Sequence, residues 1–426
     1  LYSSRGKVLH ALERHAEALA SYEDALRVRP DYADARYNRA VALEGVRRFE
    51  EALAEYERAV ALRPDYAAAY LNRGNVLQAL GRAAEAVGSY DEVLRLQPQN
   101  ATAHANRGNA LVAIGRVVDA LASYDAALAI DSGHAEAMSA RAGALYMLER
   151  HAEAAATMDR LIALHPDHAY APGNALFFRL HSCNWQGDAE AREDVARRVR
   201  AGRRAVPPFS FVAVSGSSRD QLACAQAYVR DISTRFALQA SPLPHYAHER
   251  IRIAYVSADF REHPVAFLTA QLYELHDRSR FEVCGVSLNP DPRSEMQARL
   301  QRGFDRFIDA SHMTDGDVVA LLRQLEIDIA VDLMGHTGQA RAGLWARRAA
   351  PVQVNYLGYP GTSGAQWMDY IVGDRWVIPE SARAAYSEGV VWMPDTYMVH
   401  DRLRAIADRA PSREECGLPA SGFVFC

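Results

Sequence analysis

The sequence contains few cysteines and no long apolar segment. Five cysteines are scattered through 426 residues, and none of them forms a Cys-x-x-C pair. This usage excludes a disulfide scaffold, argues against a structural zinc site and indicates a reducing, cytoplasmic compartment. A membrane-spanning helix needs about 18 or more consecutive apolar residues, and no such run occurs. We therefore expect a cytoplasmic protein without a membrane partner.

Positive charge is not in excess either. Lys and Arg total 48 against 53 Asp and Glu, for a net charge of −5, whereas nucleic-acid binding by phosphate neutralisation needs a basic excess or face. The glycine-rich loops match neither the dinucleotide motif nor the phosphate-loop motif of nucleotide triphosphatases. His245, His248 and Glu249 lack a fourth ligand for zinc. We predict no nucleic-acid partner, no metal site and no cofactor.

What the first half does contain is a repeat of 34 residues. Proline recurs at Pro30, Pro64 and Pro98, and tyrosine recurs with the same period. Each unit predicts two helices, such as 67–80 and 83–96, with glycine at the break and proline after the second helix. This pattern resembles the tetratricopeptide repeat over residues 1–168. Such repeats stack into an α-solenoid with a concave binding surface.

One asparagine recurs per repeat, at Asn38, Asn72 and Asn106, and the series stops at Ala140. Because an amide side chain both donates and accepts hydrogen bonds, a line of asparagines can bind an extended peptide backbone. Alternatively, these residues bond neighbouring helices, as we expect of the asparagines at 75 and 109. The repeat pattern leaves both interpretations open, and peptide binding is the functional one.

From about residue 250 the sequence alternates between strands and helices. We predict a helical connector over 169–245 and then a parallel sheet covered by helices on both faces. Ligands bind such sheets outside the carboxyl ends of the strands. The predicted strands cover residues 251–257, 281–288, 304–308, 327–334, 352–357 and 368–372. Three loops that follow these strands carry polar residues and glycines, namely 259–264, 335–338 and 358–364.

The run from Val352 to Ala365 (VQVNYLGYPGTSGA), followed by Met368–Tyr370, closely resembles the protein O-GlcNAc transferase family, which includes the plant Spindly proteins. Further support comes from Tyr255–Phe260 with His263-Pro264, from Arg348–Pro351 and from Tyr386–Glu388. The resemblance covers essentially the whole chain. It implies a repeat α-solenoid followed by a Rossmann-like α/β lobe, the first half of a two-lobed glycosyltransferase. The expected domains are repeats over 1–168, a connector over 169–245, the first catalytic lobe over 246–415, and the start of a second lobe over 416–426.

The resemblance also implies an activity. Members of the family are inverting, metal-independent enzymes that transfer a sugar, usually GlcNAc from UDP-GlcNAc, to Ser or Thr hydroxyls of proteins. The family's His-Pro histidine matches His263, and a histidine can accept or relay a hydroxyl proton near neutral pH. Asp259 matches an acidic residue that assists; local helix capping is the structural alternative for both residues, whereas we expect His336 to be structural. The expected substrate-binding residues are Pro264, Leu357, Gly358, Tyr359, Pro360, Gly361 and Thr362.

The chain departs from the family pattern in two respects. Val265–Phe267 replaces the Thr and second His that follow His-Pro in some members. The second lobe, which holds most of the donor pocket, would need residues beyond Cys426, so we expect the chain alone to bind donor poorly and to be inactive. Two alternatives remain: an O-fucosyltransferase that uses GDP-fucose, and a repeat-based protein-binding scaffold with a vestigial lobe.

Overall fold

The computed structural model describes residues 2–404 and 409–424, with the exception of 235, 237–242 and 244. Contacts divide the chain into two compact units, Leu1–Ser210 and Phe211–Cys426. This division lies within the predicted connector, and the predicted domain boundaries themselves stay predictions. Within the described residues no helix combines the length and apolar character that crossing a membrane requires.

The first unit is a stack of antiparallel helix pairs in which each helix contacts mainly its neighbours along the chain. This arrangement confirms the predicted repeat solenoid. The helices are α1 (Tyr2–Ala11), α2 (His15–Val28), α3 (Ala33–Gly45), α4 (Phe49–Leu62), α5 (Ala67–Ala79), α6 (Ala83–Leu96), α7 (Ala101–Ala113), α8 (Val117–Ile130), α9 (Ala135–Met147), α10 (His151–Leu164), α11 (Ala171–His181) and α12 (Asp188–Arg200). Helix α13 (Pro208–Val212) spans the unit boundary.

The repeated tyrosines explain the 34-residue period. Each lies on the second helix of a pair, and each is at most 1% exposed: Tyr22, Tyr56, Tyr90 and Tyr124. Three of their rings pack against a glycine of the preceding helix. A Cβ atom on Gly74 would lie 2.5 Å from the Tyr90 ring, and one on Gly108 would lie 2.4 Å from Tyr124. The small residue and the large ring together set the close approach of the two helices.

The turn inside each pair has a left-handed residue at the same repeat position. Gly81, the predicted helix break, has φ +76°, and the equivalent Gly115 has φ +77°. The same conformation occurs at Glu13, Arg47 and Glu149, with φ of 58° to 59°. Glycine adopts it without the steric cost that a side chain brings. The stacking of the helices therefore fixes this turn conformation in each repeat, even though only some repeats have a glycine there.

The second unit is built on a parallel sheet, which has seven strands in the described residues and the order β3-β2-β1-β4-β5-β6-β7. Every pairing is parallel, so the predicted fold class is confirmed. The strands are β1 (Ile251–Ser257), β2 (Phe281–Ser287), β3 (Arg306–Asp309), β4 (Ile329–Asp332), β5 (Val352–Asn355), β6 (Tyr370–Gly373) and β7 (Gly389–Trp392). The helices are α14 (Ser218–Ser233), α15 (Pro264–Glu274), α16 (Glu295–Gly303), α17 (Asp315–Gln324) and α18 (Ala342–Ala346), with a short 3₁₀ helix at Glu380–Ala385.

The prediction of this unit needs correction in several elements, and strand β5 ends at Asn355 and not at the predicted residue 357. Strand β4 is shorter than the predicted 327–334, because the Met334 amide bonds to Asp332 and not to a neighbouring strand. Helix α16 and strand β7 were not predicted. The segment 416–426, predicted to start a second lobe, lies partly outside the described residues, and 422–424 are not in a strand.

An apolar core covers each face of the sheet. One cluster contains Val256, Ala330 and Trp345, and the other contains Tyr273 and Phe304. The strand order reverses between β1 and β4, since the chain first builds outward through β2 and β3 and then outward on the other side. Ligands bind α/β sheets at such a reversal, outside the carboxyl ends of the strands. The loops after β1, β4 and β5 meet at that edge.

Candidate functional site

The loop after β1 is held rigidly on both sides. The backbone N–H of Asp259 donates to the Ser257 hydroxyl at 2.9 Å. The Glu262 carboxylate accepts from the Ser294 hydroxyl at 3.1 Å and from the Met296 N–H at 3.0 Å, at the start of α16. The loop then enters α15 at Pro264, which is exposed. These bonds fix the segment that carries the predicted catalytic pair.

His263 and Asp259 do lie side by side. His263 is the N-cap of α15, and its Nδ1 accepts from the Val265 N–H at 3.3 Å. The same Nδ1 lies 3.6 Å from an Asp259 carboxylate oxygen, and the two side chains are 37% and 13% exposed. If Nδ1 accepts from Val265, the neutral ring carries its proton on Nε2 and acts as a cap. If Nδ1–H faces Asp259, Nε2 is unprotonated and able to accept a proton. Capping and proton transfer thus require different tautomers of His263 in the same arrangement of side chains.

The loop after β4 lies against the β1 loop. The Met334 sulfur contacts the Ser257 hydroxyl at 3.4 Å and the Ala258 N–H at 3.3 Å. Asp332, the last residue of β4, accepts from the Met334 N–H at 2.8 Å. Burial raises the pKa of Asp332 to about 6. The turn after β4 is therefore built on a buried carboxyl group that binds its proton more tightly than usual.

The loop after β5 in turn lies against the β4 loop. A Cβ atom on Gly358 would lie 1.7 Å from the Leu333 carbonyl oxygen, so no side chain fits at that position. Leu357 has φ +65°, a conformation that stores strain in a non-glycine residue. It packs against the apolar cluster that contains Phe260 and Val265, which flank the predicted catalytic histidine. The structure thus gathers the predicted residues of the β1 and β5 loops into one region.

Exposure divides the residues predicted to bind substrate. Leu357 and Gly358 are partly exposed and Pro360 is exposed. By contrast, Gly361 and Thr362 are buried, and the Tyr359 ring is 3% exposed. The first group is available to a ligand, whereas the second supports the loop from inside. The roles of all these residues stay predictions, and the geometry favours the exposed ones as ligand contacts.

His336 supports the same loop. Its Nε2 lies 2.7 Å from the Ser363 carbonyl oxygen, so this nitrogen carries the proton and donates it. The ring packs edge-on between Tyr228 and Tyr359. Burial lowers its pKa, which keeps the imidazole neutral. The geometry agrees with the expectation that His336 is structural.

In the repeat unit, the predicted peptide-binding asparagines occupy the sixth position of α3, α5 and α7 and are partly buried. The Asn38 amide donates to its own helix, at the Asp34 carbonyl. The Asn72 amide donates to the Tyr37 hydroxyl of the preceding repeat at 3.1 Å. These bonds orient the amides; peptide binding stays a prediction.

Asparagines of a second set bond helices to one another, as predicted. Asn75 accepts from the Tyr90 hydroxyl, and Asn109 accepts from the Tyr124 hydroxyl, both at 2.8 Å. Asn75 also accepts from the amide of Asn106 at 3.0 Å. The two sets of asparagines are therefore linked at one point of the array.

One histidine near the start of β1, His248, contacts two carboxylates. His248 contacts Glu326 at 2.9 Å and Asp328 at 3.1 Å, while His245 and Glu249 are exposed. The hydrogen bond to Glu326 and, less strongly, that to Asp328 raise the pKa of His248. Across the described part of the chain, no group of three or more His, Cys, Asp or Glu side chains is arranged to hold a metal ion.

Comparison with known proteins confirms the resemblance to the O-GlcNAc transferase and Spindly-like family. The family model "Glycosyl transferase family 41" matches residues 230–410. Tetratricopeptide-repeat models match residues 6–45, 48–81, 71–135 and 105–169.

Among named relatives, the probable UDP-N-acetylglucosamine–peptide N-acetylglucosaminyltransferase SEC of Arabidopsis thaliana is 35% identical over 46% of this chain and 21% of its own. The UDP-N-acetylglucosamine–peptide N-acetylglucosaminyltransferase of Caenorhabditis elegans is 35% identical over 39% of this chain and 15% of its own. A mutant O-GlcNAc transferase of Thermobaculum terrenum has a TM-score of 0.52 at 26% identity, over 78% of this chain and 58% of that one. The chain thus spans at most about a fifth of these two curated relatives.

Proposed function

We propose that the protein is a glycosyltransferase that transfers a sugar from a nucleotide donor to Ser or Thr hydroxyls of proteins. The donor proposed first is UDP-GlcNAc, which is the donor in the names of the relatives. One observation carries the proposal: at the reversal point of a parallel sheet, Asp259 and His263 lie side by side, and their chain neighbours Phe260 and Val265 share an apolar cluster with the strained loop residue Leu357. This sheet lies in the segment that matches the glycosyltransferase family.

The chemistry follows from the geometry of the pair. With Nδ1–H directed at Asp259, His263 accepts the proton of an acceptor hydroxyl at Nε2. The hydroxyl oxygen then forms a bond to the anomeric carbon as the bond to the nucleoside diphosphate breaks on the opposite face. This course inverts the sugar and uses no metal ion; the family resemblance supports both features.

Acceptor recognition belongs to the repeat unit in this proposal. Asn38, Asn72 and Asn106 recur on successive repeats and would bind the backbone of extended polypeptides. Partners are therefore protein acceptors and a nucleotide sugar. The proposal places the enzyme in a reducing, cytoplasmic compartment, as the sparse, unpatterned cysteines indicate.

The chain by itself is proposed to be inactive and to bind donor poorly. The support is its partial coverage of the relatives, together with the expectation that a second lobe supplies most of the donor pocket. The activity is accordingly tested on the full-length protein.

The test incubates the full-length protein with UDP-GlcNAc or GDP-fucose and Ser/Thr peptides, and measures peptide mass. A gain of one N-acetylhexosamine supports the proposal, and a gain of one deoxyhexose shows the fucosyltransferase instead. His263→Ala should abolish transfer but leave peptide capture unchanged. His312→Ala is the control, because His312 is an exposed histidine in the loop after edge strand β3. It should leave both sugar transfer and peptide capture unchanged. Peptide capture without transfer of any sugar would leave only the scaffold interpretation.

A further inference from the structure

Glu388 is a buried carboxylate that lies directly before β7. Its side chain is fully buried, at 0% exposure. One carboxylate oxygen accepts from the Thr362 hydroxyl at 2.7 Å and from the Ser387 hydroxyl at 3.0 Å. The other accepts from the Ser363 N–H at 2.6 Å. A carboxylate is stable away from water only when hydrogen bonds compensate its desolvation, and here three donors do so.

The same loop residue is held from its other side. The Ser363 carbonyl accepts from His336, which follows β4. Both backbone polar groups of Ser363 are therefore bound, the N–H by Glu388 and the carbonyl by His336. We call Glu388, His336 and Thr362 the Ser363 clamp. It joins the loop after β5 to the start of β7 and to the loop after β4.

Thr362 is the hub of the clamp. Its hydroxyl donates to Glu388 and accepts from the Gly364 and Ser387 N–H groups, each at 3.2 Å. The neighbouring Gly364 has φ +65°, and a Cβ atom there would lie 2.7 Å from Ala225 of α14. This end of the loop therefore has no freedom to shift.

The other end of the loop is the part that is available to a ligand. Leu357, Gly358 and Pro360 are partly or fully exposed, and Leu357 keeps a strained, left-handed backbone. Strain of this kind persists only when the surroundings over-determine the conformation. Between Leu357 and Thr362, the buried Tyr359 ring packs against His336, a member of the clamp, so the clamp anchors the loop on the carboxyl side of Leu357.

We propose that Glu388 is a positioning residue for transfer: by holding Thr362 and Ser363, it fixes where Leu357, Gly358 and Pro360 meet the ligand. The inference rests on the proposed function, because it assumes that these residues contact substrate. Glu388 itself is buried and acts only through the loop.

The test compares Glu388→Gln with two changes at Thr362 in the full-length protein. Glu388→Gln keeps the shape but replaces one accepting oxygen by an NH₂ group that faces a donor. Thr362→Val removes the hub hydroxyl, whereas Thr362→Ser retains it. We expect kcat/KM to fall by about tenfold or more for Glu388→Gln and Thr362→Val, since small displacements of positioning groups are costly. Thr362→Ser should retain more of the activity than Thr362→Val, because it keeps the hydroxyl that donates to Glu388. The double variant Glu388→Gln/Thr362→Val should have a kcat/KM no lower than that of the more impaired single variant, because both changes break the same contact.

Glu282→Gln is the matched control. This is the same chemical change near the amino ends of the strands, where Glu282 pairs with Arg252 and Arg306, and it should leave kcat/KM unchanged.

Amide hydrogen exchange separates a loop effect from general unfolding. In Glu388→Gln, the amides of residues 357–365 should exchange faster while those of β1 keep their rates. Unchanged exchange in the loop, or an unchanged kcat/KM, overturns the proposal. If even the unaltered protein transfers no sugar, the proposed function fails, and the positioning role of Glu388 in transfer fails with it. Exchange would then still show whether Glu388 holds the loop.

Discussion

At the scale of single residues, the ends of β4 and β5 hold buried polar groups with few partners. Asp332 is 4% exposed, and burial raises its pKa to about 6. Asn355, its register partner on β5, is 1% exposed, and both polar atoms of its amide lack a hydrogen-bond partner among the described residues. Under-paired buried groups lower stability. Both groups lie at the carboxyl edge of the sheet, and functional sites are where proteins tolerate such a loss of stability.

Replacing Asp332 by Asn should therefore stabilise the protein at neutral pH. The folded pKa of about 6 exceeds the usual value of 3.8, so the folded state binds more protons and the free energy of unfolding decreases as pH rises between those values. Asn keeps the shape and the acceptor for the Met334 N–H but does not ionise. We expect Asp332→Asn to gain up to about 3 kcal/mol over the unaltered protein near neutral pH, from a shift of about 2 pKa units.

Urea unfolding of both proteins on either side of the titration checks this expectation. The advantage of Asp332→Asn should shrink progressively as pH falls from about 7 to about 4, as the carboxyl group of the unaltered protein becomes protonated. An advantage that does not vary with pH would show that Asp332 is not held with a raised pKa.

At the scale of elements, the first four helix pairs each pack a buried tyrosine at the same repeat position, with a small residue opposite it. Gly74 meets Tyr90 in the pair α5–α6, and the period places Ala40 at the equivalent position in the pair α3–α4. The hydroxyl partner changes as well: Tyr90 donates to Asn75, whereas Tyr56 donates to Glu44. Within the array, the position of the tyrosine opposite a small residue therefore recurs, whereas the hydrogen-bond partner of the tyrosine hydroxyl changes.

Gly74→Ala should destabilise the array. The new Cβ would lie 2.5 Å from the Tyr90 ring, so the ring must move and the helices must separate. Overpacking of this kind costs about 1–3 kcal/mol. Gly88→Ala is the matched control, because Gly88 lies exposed within α6 and a Cβ there meets nothing within 4 Å. Helix propensity should make that change stabilising by about 0.5–1 kcal/mol. Thermal unfolding should therefore give shifts of opposite sign, and equal shifts would refute the steric lock.

Element prediction failed where sequence signals are local and weak. Strand β7 has only four residues at the edge of the sheet, which is too short for a clear alternation. Helix α16 (EMQARLQRG) buries only Gln297, Leu300 and Gly303. Its composition is therefore too polar to show an apolar helical pattern in the sequence. Strand β4 was predicted too long because an apolar run does not show where the backbone turns, and the turn at Met334 depends on its bond to Asp332.

At the scale of the whole molecule, periodicity and alternation were sufficient to predict the architecture, but not the inner support of the site. The neighbouring positions of Asp259 and His263 follow from a four-residue spacing at a helix start. The burial of Thr362 could not be foreseen, because its partner Glu388 lies 26 residues further along the chain. His336 likewise binds Ser363 across 27 residues. Contacts of this kind are set by the order of strands in the sheet, which no local pattern encodes.

The repeats also make a prediction for acceptor binding that is independent of the transfer chemistry. If the recurring asparagines bind peptide backbone, then changing Asn38, Asn72 and Asn106 together to Ala should weaken capture of unstructured peptides, because each removes one amide. One net hydrogen bond of about 1.4 kcal/mol corresponds to a tenfold change in affinity. The triple variant should therefore bind peptide at least tenfold more weakly than the unaltered protein. Asn109→Ala is the control: this asparagine bonds Tyr124 inside the array and lies outside the series. Fluorescence anisotropy with labelled Ser/Thr-rich peptides measures both, beside thermal unfolding to confirm folding. Equal weakening by Asn109→Ala, or undiminished binding by the triple variant, would mean that the series serves only to bond helices.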